Sequence, residues 1–78
     1  MKKYMVVEKF KPGYFDAIYL RFNSKGRMLL DGLFYLHSWV NKEKNICFQL
    51  METNNADLFN IWIDQWKDLT EFEIFSID

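Results

Sequence analysis

The stretch that decides the fold runs from Phe48 to Trp66, Phe-Gln-Leu-Met-Glu-Thr-Asn-Asn-Ala-Asp-Leu-Phe-Asn-Ile-Trp-Ile-Asp-Gln-Trp. Its hydrophobic period changes once, at Glu52-Thr53-Asn54-Asn55. Before that point the run is short, apolar and aromatic, as a buried strand is. After it, Phe59, Trp62, Ile63 and Trp66 fall at i, i+3, i+4 and i+7, one face of a helix. Asn54 and Asn55 carry side-chain oxygens that cap free N–H groups, and Asp57 places negative charge at the positive end of the helix. A strand therefore feeds directly into a packed helix.

Outward from this junction the pattern repeats. Lys3 to Phe10 is β-prone and free of Gly and Pro, a first strand. Pro12-Gly13 breaks it, with the proline suited to the first turn of a helix. Phe15, Ile18, Tyr19 and Phe22 then mark one helical face, and Gly26 is expected to end that helix, with Lys25 and Arg27 complementing its C-terminal dipole. Met28-Leu29-Leu30 reads as a packed turn beneath the helix, closed by Asp31-Gly32. Leu33 to Val40 is the second strand, Asn41 to Lys44 a hairpin loop, and Asn45 to Glu52 the third strand. The second helix is expected from Ala56 to Lys67 and the last strand from Glu71 to Ile77. The order β-α-β-β-α-β predicts a single ferredoxin-like α+β domain over residues 1–78: a four-stranded antiparallel sheet with two helices on one face.

The chain has 78 residues, half of them hydrophobic and 19% aromatic. A domain of this size shelters only roughly 60–65% of its unfolded surface, so the apolar content exceeds what one small core hides. Strand parity sharpens the point. Leu33, Tyr35, His37 and Trp39 alternate with Phe34, Leu36, Ser38 and Val40, while Ile46, Phe48 and Leu50 alternate with Cys47, Gln49 and Met51. In the first strand Tyr4 and Val6 oppose Met5 and Val7, and in the last Phe72 and Ile74 oppose Phe75 and Ile77. Neither face is polar, yet only one is roofed by helices. The expected cover for the other is a second copy of the same sheet, giving a homodimer.

The formal charge is −1 with acidic and basic residues interspersed, and no basic block suits a phosphate backbone. Cys47 is the single cysteine, which excludes an intrachain disulfide and points to a reducing, cytoplasmic setting. No signal peptide is visible in residues 1–10, and no run approaches the ~20 apolar residues of a membrane helix. The expected partners are the protein itself and a small hydrophobic ligand, with no nucleic acid, no membrane and no cofactor.

Several segments resemble a known group. Val6-Val7-Glu8 with Phe10-Lys11-Pro12, Trp39, Leu50-Met51-Glu52-Thr53, and the run from Trp66 to Ile74 with its Trp-x-Asp-Leu-x-x-Phe-Glu pattern are similar to short stand-alone bacterial proteins of unassigned function in the dimeric α/β-barrel superfamily. The resemblance spans nearly the whole chain. It implies a ferredoxin-like protomer whose sheet pairs with a second protomer's sheet to close a barrel. The superfamily includes cofactor-independent monooxygenases, haem-degrading enzymes, chlorite dismutase-like proteins and stress-responsive proteins, so it fixes fold and leaves chemistry open.

Candidate site residues are few. His37, the single histidine, shares a face by parity with Tyr35 and Trp39 and is the one weak candidate for a general base or a ligand's proton donor; a hydrogen-bonded histidine at a half-buried interface is the preferred account, because no carboxylate or nucleophile is placed beside it by sequence. His37 and Cys47 lack the additional ligands a metal site needs, and an even-length hairpin puts them on opposite faces. Trp62 and Trp66 read as core, each indole seeking an acceptor, whereas Trp39 on its strand is the better ligand contact. Arg21 and Arg27 are suited to an anionic ligand or simply to solvated helix-end charge. Glu52, at the end of the third strand, would meet a ligand amine or help start the helix. Glu71, Glu73, Asp64 and Asp68 read as a solvated acidic patch. The third strand lacks the glycine and flanking aromatics of an RNA-recognition module, and Lys9 to Gly13 lacks the arginine and glycines of an acylphosphatase phosphate loop.

Two function classes follow. One is a non-enzymatic small-molecule-binding or accessory module, its cleft lying between helices and sheet or inside the dimer's barrel. The other is a cofactor-independent monooxygenase-like enzyme acting on a hydrophobic cyclic substrate, with His37 and Trp39 lining its pocket. The first is preferred, because the chain shows no nucleophile, metal cage or phosphate loop.

Overall fold

The computed structural model describes residues 1–77 and shows the order β1 (Lys2–Phe10), α1 (Phe15–Lys25), β2 (Leu33–Asn41), β3 (Ile46–Thr53), α2 (Leu58–Asp64) and β4 (Thr70–Ile77). The strands form one antiparallel sheet in the order β2-β3-β1-β4, the ferredoxin-like arrangement expected from the periodicity. The core sits between the sheet and the helices: Val6, Leu33 and Met51 from the strands pack with Ile18 of α1 and Phe59 and Trp62 of α2. Val6 and Met51 are fully buried and Trp62 nearly so.

The local chemistry departs from expectation at three junctions. Pro12 does not open α1. Pro12-Gly13 instead forms a turn closed by Tyr14 N–H donating to Lys11 O at 3.1 Å, with Gly13 at φ +82°, a value that a residue with a Cβ resists. Asn45 closes the β2–β3 hairpin rather than starting β3, because its φ of +56° takes it out of the ladder. The second helix is shorter than Ala56–Lys67. Its seven-residue α-helical centre is flanked by tighter turns, in which Leu58 N–H donates to Asn55 O at 3.1 Å and Trp66 N–H to Ile63 O at 2.9 Å. Asn55 still organises the start, accepting the Asp57 N–H on Oδ1 at 3.1 Å.

A bulge in β2 changes which residues face the core. Tyr35 pairs with Met51 and His37 with Leu50, so Leu36 is an extra residue without a partner on β3. Upstream of it Leu33 and Tyr35 face the helices; downstream the parity inverts, and Ser38 and Val40 face the helices with Gln49 and Cys47 as partners. His37 and Trp39 therefore lie on the helix-free face with Phe34. The single face expected for Tyr35, His37 and Trp39 is corrected accordingly: Tyr35 is on the opposite side of the sheet from the other two.

The helix-free face carries Phe34, His37, Trp39, Phe48, Leu50, Met5, Val7, Phe75 and Ile77, edged by Lys3, Lys9, Glu71 and Glu73. Trp39 and Phe75 are about half exposed, at 49% and 51%. This is an apolar sheet surface with a charged rim.

Candidate functional site

Alternation along the two central strands sends Tyr4, Val6, Glu8 and Phe10 of β1, and Cys47, Gln49, Met51 and Thr53 of β3, toward the helices. At the Tyr4–Met51 end the space is filled. Tyr4 meets Phe59 edge-to-face at 5.1 Å, and Trp62 meets Phe72 at 5.5 Å. Toward the Glu8–Cys47 end the helices stand away from the sheet and leave a cavity of about 250 Å³. Its apolar wall comes from Phe10, Tyr19, Phe22, Trp62 and Trp66, and its polar groups are Glu8, Gln49, Cys47, Arg27 and Ser38.

The polar groups are linked. Gln49 Nε2 donates to Glu8 Oε2 at 2.6 Å, while Gln49 Oε1 is buried without a partner. Glu8 is only 8% exposed and Gln49 6%. Burial pushes the Glu8 carboxyl above the ordinary glutamate value, against the opposing pull of hydrogen bonds from Gln49 and Cys47 and of the Arg27 charge. The Cys47 thiol is pushed up to about 12, by burial first and by the neighbouring Glu8 second. At neutral pH it is a thiol rather than a thiolate, which removes it as a nucleophile.

Arg27 is held by aromatic faces. Its guanidinium lies 3.6 Å from the Tyr35 ring centroid and 5.1 Å from that of Phe22. Among the described residues no carboxylate lies within ion-pair distance of it. Its main chain is fixed as well, since the Arg27 carbonyl accepts both indole N–H groups, Trp62 at 2.9 Å and Trp66 at 3.1 Å. The two tryptophans are core residues that share one acceptor. The β2 bulge completes the wall. Tyr35 and Ser38, three residues apart, would face opposite ways in a regular strand; here their hydroxyls meet at 2.7 Å on the helix side.

The sequence-derived residues thus separate into two groups. Arg27 and Tyr35 belong to the helix–sheet side. His37, Trp39 and Glu52 lie on the helix-free side, where the His37 and Trp39 rings meet at 4.5 Å, and His37 does not line the cavity. Arg21 is neither a ligand-facing nor a merely solvated charge. It donates to both Asp68 carboxylate oxygens at 2.8 Å and to Gln65 O at 3.0 Å, tying α1 to the turn after α2. Asp68 therefore leaves the supposed acidic patch, and the Arg21 guanidinium holds its carboxyl down at about 2. Asp64 pairs with Lys67, and Glu73 with Lys9. Among the described residues no three His, Cys, Asp or Glu side chains cluster as metal ligands do, and no helix is long and apolar enough to cross a membrane.

Glu8 and Gln49 were missed as site residues, although the signal was present. Each is a strongly polar position inside the helix-facing set of a central strand, away from the strand's end, and a polar residue buried there must find a partner or a ligand. What parity alone does not give is the register, which sets Glu8 opposite Cys47 and Val6 opposite Gln49 and so brings Glu8 and Gln49 together on the diagonal.

Residues 2–77 match the family described as Domain of unknown function (DUF3303), and the chain belongs to that family. A search among curated proteins found no match.

Proposed function

We propose that this protein binds a small, largely apolar molecule in the cavity between its helices and sheet, and that it works as a homodimer paired through the helix-free sheet face. The observation that supports the binding reading is the combination of an aromatic-walled cavity of about 250 Å³ with a convergent set of buried polar groups, one of which has no partner. Small-molecule sites have this composition, a hydrophobic lining with a few placed polar groups. A well-packed structural core would have closed the space, because each void forfeits dispersion contacts.

Nothing in the cavity is an activated nucleophile, so binding is a better account than catalysis. The Cys47 thiol is protonated, and His37 lies on the other side of the sheet. The pairing proposal draws its support from the exposed row Phe34, Trp39, Phe48 and Phe75, a contiguous apolar surface of the kind that marks interaction sites. A two-fold pairing of two such sheets buries that row and keeps its charged rim in water.

Three tryptophans make the binding test direct, because two line the cavity and one does not. Titration with toluene is expected to shift the indole N–H resonances of Trp62 and Trp66 saturably and to leave Trp39 unmoved. Val40→Phe, a change at a half-exposed lining position, is expected to abolish the shift while the protein stays folded. Silent Trp62 and Trp66 signals, or an unaffected Val40→Phe variant, would overturn the binding reading. Sedimentation equilibrium tests the pairing: a dimer is expected, with Phe48→Lys converting it to monomer, and a wild-type monomer at micromolar concentration contradicts it.

A further inference from the structure

The cavity's single unpaired cation carries an inference about what kind of molecule it takes. Arg27 is always charged, lines the cavity, and among the described residues has no carboxylate partner. Its guanidinium carbon rests 3.6 Å from the Tyr35 ring centroid and 5.1 Å from that of Phe22, contacts that restrain the side chain without using its N–H donors. An arginine stacked this way, beside an apolar wall, presents a fork for an anion. We propose that the cavity, taken as the ligand site proposed above, selects a monocarboxylic acid with a small apolar ring, the carboxylate received by the Arg27 guanidinium and the ring by Phe10, Phe22, Trp62 and Trp66.

The charge count favours a single negative charge. Among the described residues Arg27 is the one cationic side chain in the lining, so a doubly charged headgroup such as phosphate would remain half-compensated. Among the described residues Glu8 is the one carboxyl in the lining. An ionised Glu8 would repel the ligand, and a protonated Glu8 would not. Its desolvation favours the protonated form and outweighs the Gln49 and Cys47 hydrogen bonds and the Arg27 charge, which pull the other way. Ligand uptake and Glu8 protonation are therefore coupled, and a bound carboxylate raises the Glu8 pKa further. The groups facing Glu8 are Cys47 from β3, which stays a neutral thiol, the Arg27 guanidinium from the α1–β2 connection, Tyr19 from α1, and, among the described residues of α2, β4 and the turn between them, the non-titrating Trp62, Trp66, Phe72 and Thr70.

The test compares benzoate with toluene, which have the same ring with and without the carboxylate, followed by the Trp62 and Trp66 indole resonances. Benzoate is expected to bind at least about tenfold more tightly than toluene, the scale of one charge-assisted hydrogen-bonded pair. Arg27→Met is expected to erase that preference while keeping toluene binding, which also shows that the variant is folded. Above about pH 5, where benzoate is ionised, wild-type affinity for benzoate is expected to fall as pH climbs through the raised Glu8 value, and Glu8→Gln is expected to hold it level. Benzoate binding no tighter than toluene, or a preference that survives Arg27→Met, would overturn the acid inference and leave the cavity reading standing. A wild-type affinity indifferent to pH would remove Glu8 from it. If neither compound moves Trp62 or Trp66, the cavity reading itself falls.

Discussion

The two helices carry the same apolar spacing and meet different fates. Phe59, Trp62, Ile63 and Trp66 on one side, and Phe15, Ile18, Tyr19 and Phe22 on the other, both fall at i, i+3, i+4 and i+7. The first set is packed: Phe59 is 2% exposed, Trp62 1% and Trp66 6%. Of the second only Ile18 is buried, while Tyr19 and Phe22 stand more than a third exposed along the cavity wall. The cause lies beneath them. The strand segments under Phe59 and Trp62 present Tyr4, Val6 and Met51, which interdigitate with aromatic rings, whereas the cavity end presents Glu8, Gln49 and Cys47. Those groups are already shielded from water and offer an apolar helical face no rings or aliphatic side chains to interdigitate with, and there the apolar stripe of α1 stands off. Periodicity tells which way a helix turns its face; the opposing strand decides how closely that face is met.

The contrast has its largest consequence in stability. Trp62→Ala is expected to cost about 3–5 kcal/mol, since it empties a filled site and frees an acceptor shared with Trp66. Tyr19→Ala, at the same kind of helical position, is expected to cost under about 1 kcal/mol. Urea unfolding of the two variants measures both. Equal losses would mean that the α1 stripe is packed after all.

A middle-sized effect belongs to the polar pair. Gln49→Leu takes the amide away from the buried Glu8 and is expected to cost about 1–3 kcal/mol, whereas Glu8→Leu with Gln49→Leu replaces both partners and is expected to recover most of that loss. The cycle also has a pH signature. With its folded pKa raised, Glu8 lowers stability progressively as pH climbs from the ordinary glutamate range through the raised value, and Glu8→Gln is expected to flatten that slope. A double variant as weak as the single one would show that the pair is not a unit.

The smallest effect is at the strap between the helices. Asp68, with its carboxyl held at about 2 by Arg21, contributes stability above the ordinary aspartate range and loses that contribution as pH falls toward about 2. Both side chains are open to solvent, so the contribution is modest and salt-sensitive. Asp68→Asn is expected to show a shallower acid limb in the urea midpoint, a difference that shrinks in high salt; an unchanged limb would remove the strap from the account.

Much of this was legible in the sequence. Alternation sorted the residues of β1, β3 and β4 into the two sets the structure shows, because no residue in those strands interrupts the period of two, but it did not say which set meets the helices. The bulge at Leu36 was not legible. It carries neither Gly nor Pro, and its one-residue slip moves Tyr35 away from His37 and Trp39. Arg27 was legible only as a charge near a helix end, suited to an anion or, by preference, to solvent; its seat on Tyr35 and Phe22 depends on the chain folding back, which no local pattern announces. The pairing of Arg21 with Asp68 spans 47 residues and leaves no local trace. Glu8 and Gln49 were visible as polar residues on otherwise apolar strand faces, and only the register between β1 and β3 turns them into a pair.

The central claim is that one end of the helical layer is solid and the other holds an apolar space that a molecule can fill. Xenon under pressure seeks such spaces and little else. Amide and indole shifts under xenon are expected to gather at Tyr19, Phe22, Trp62, Trp66 and Thr70 and to be absent around Tyr4 and Phe59. Shifts confined to Phe34, Trp39 and Phe75 on the helix-free face, or none at all, would contradict the account.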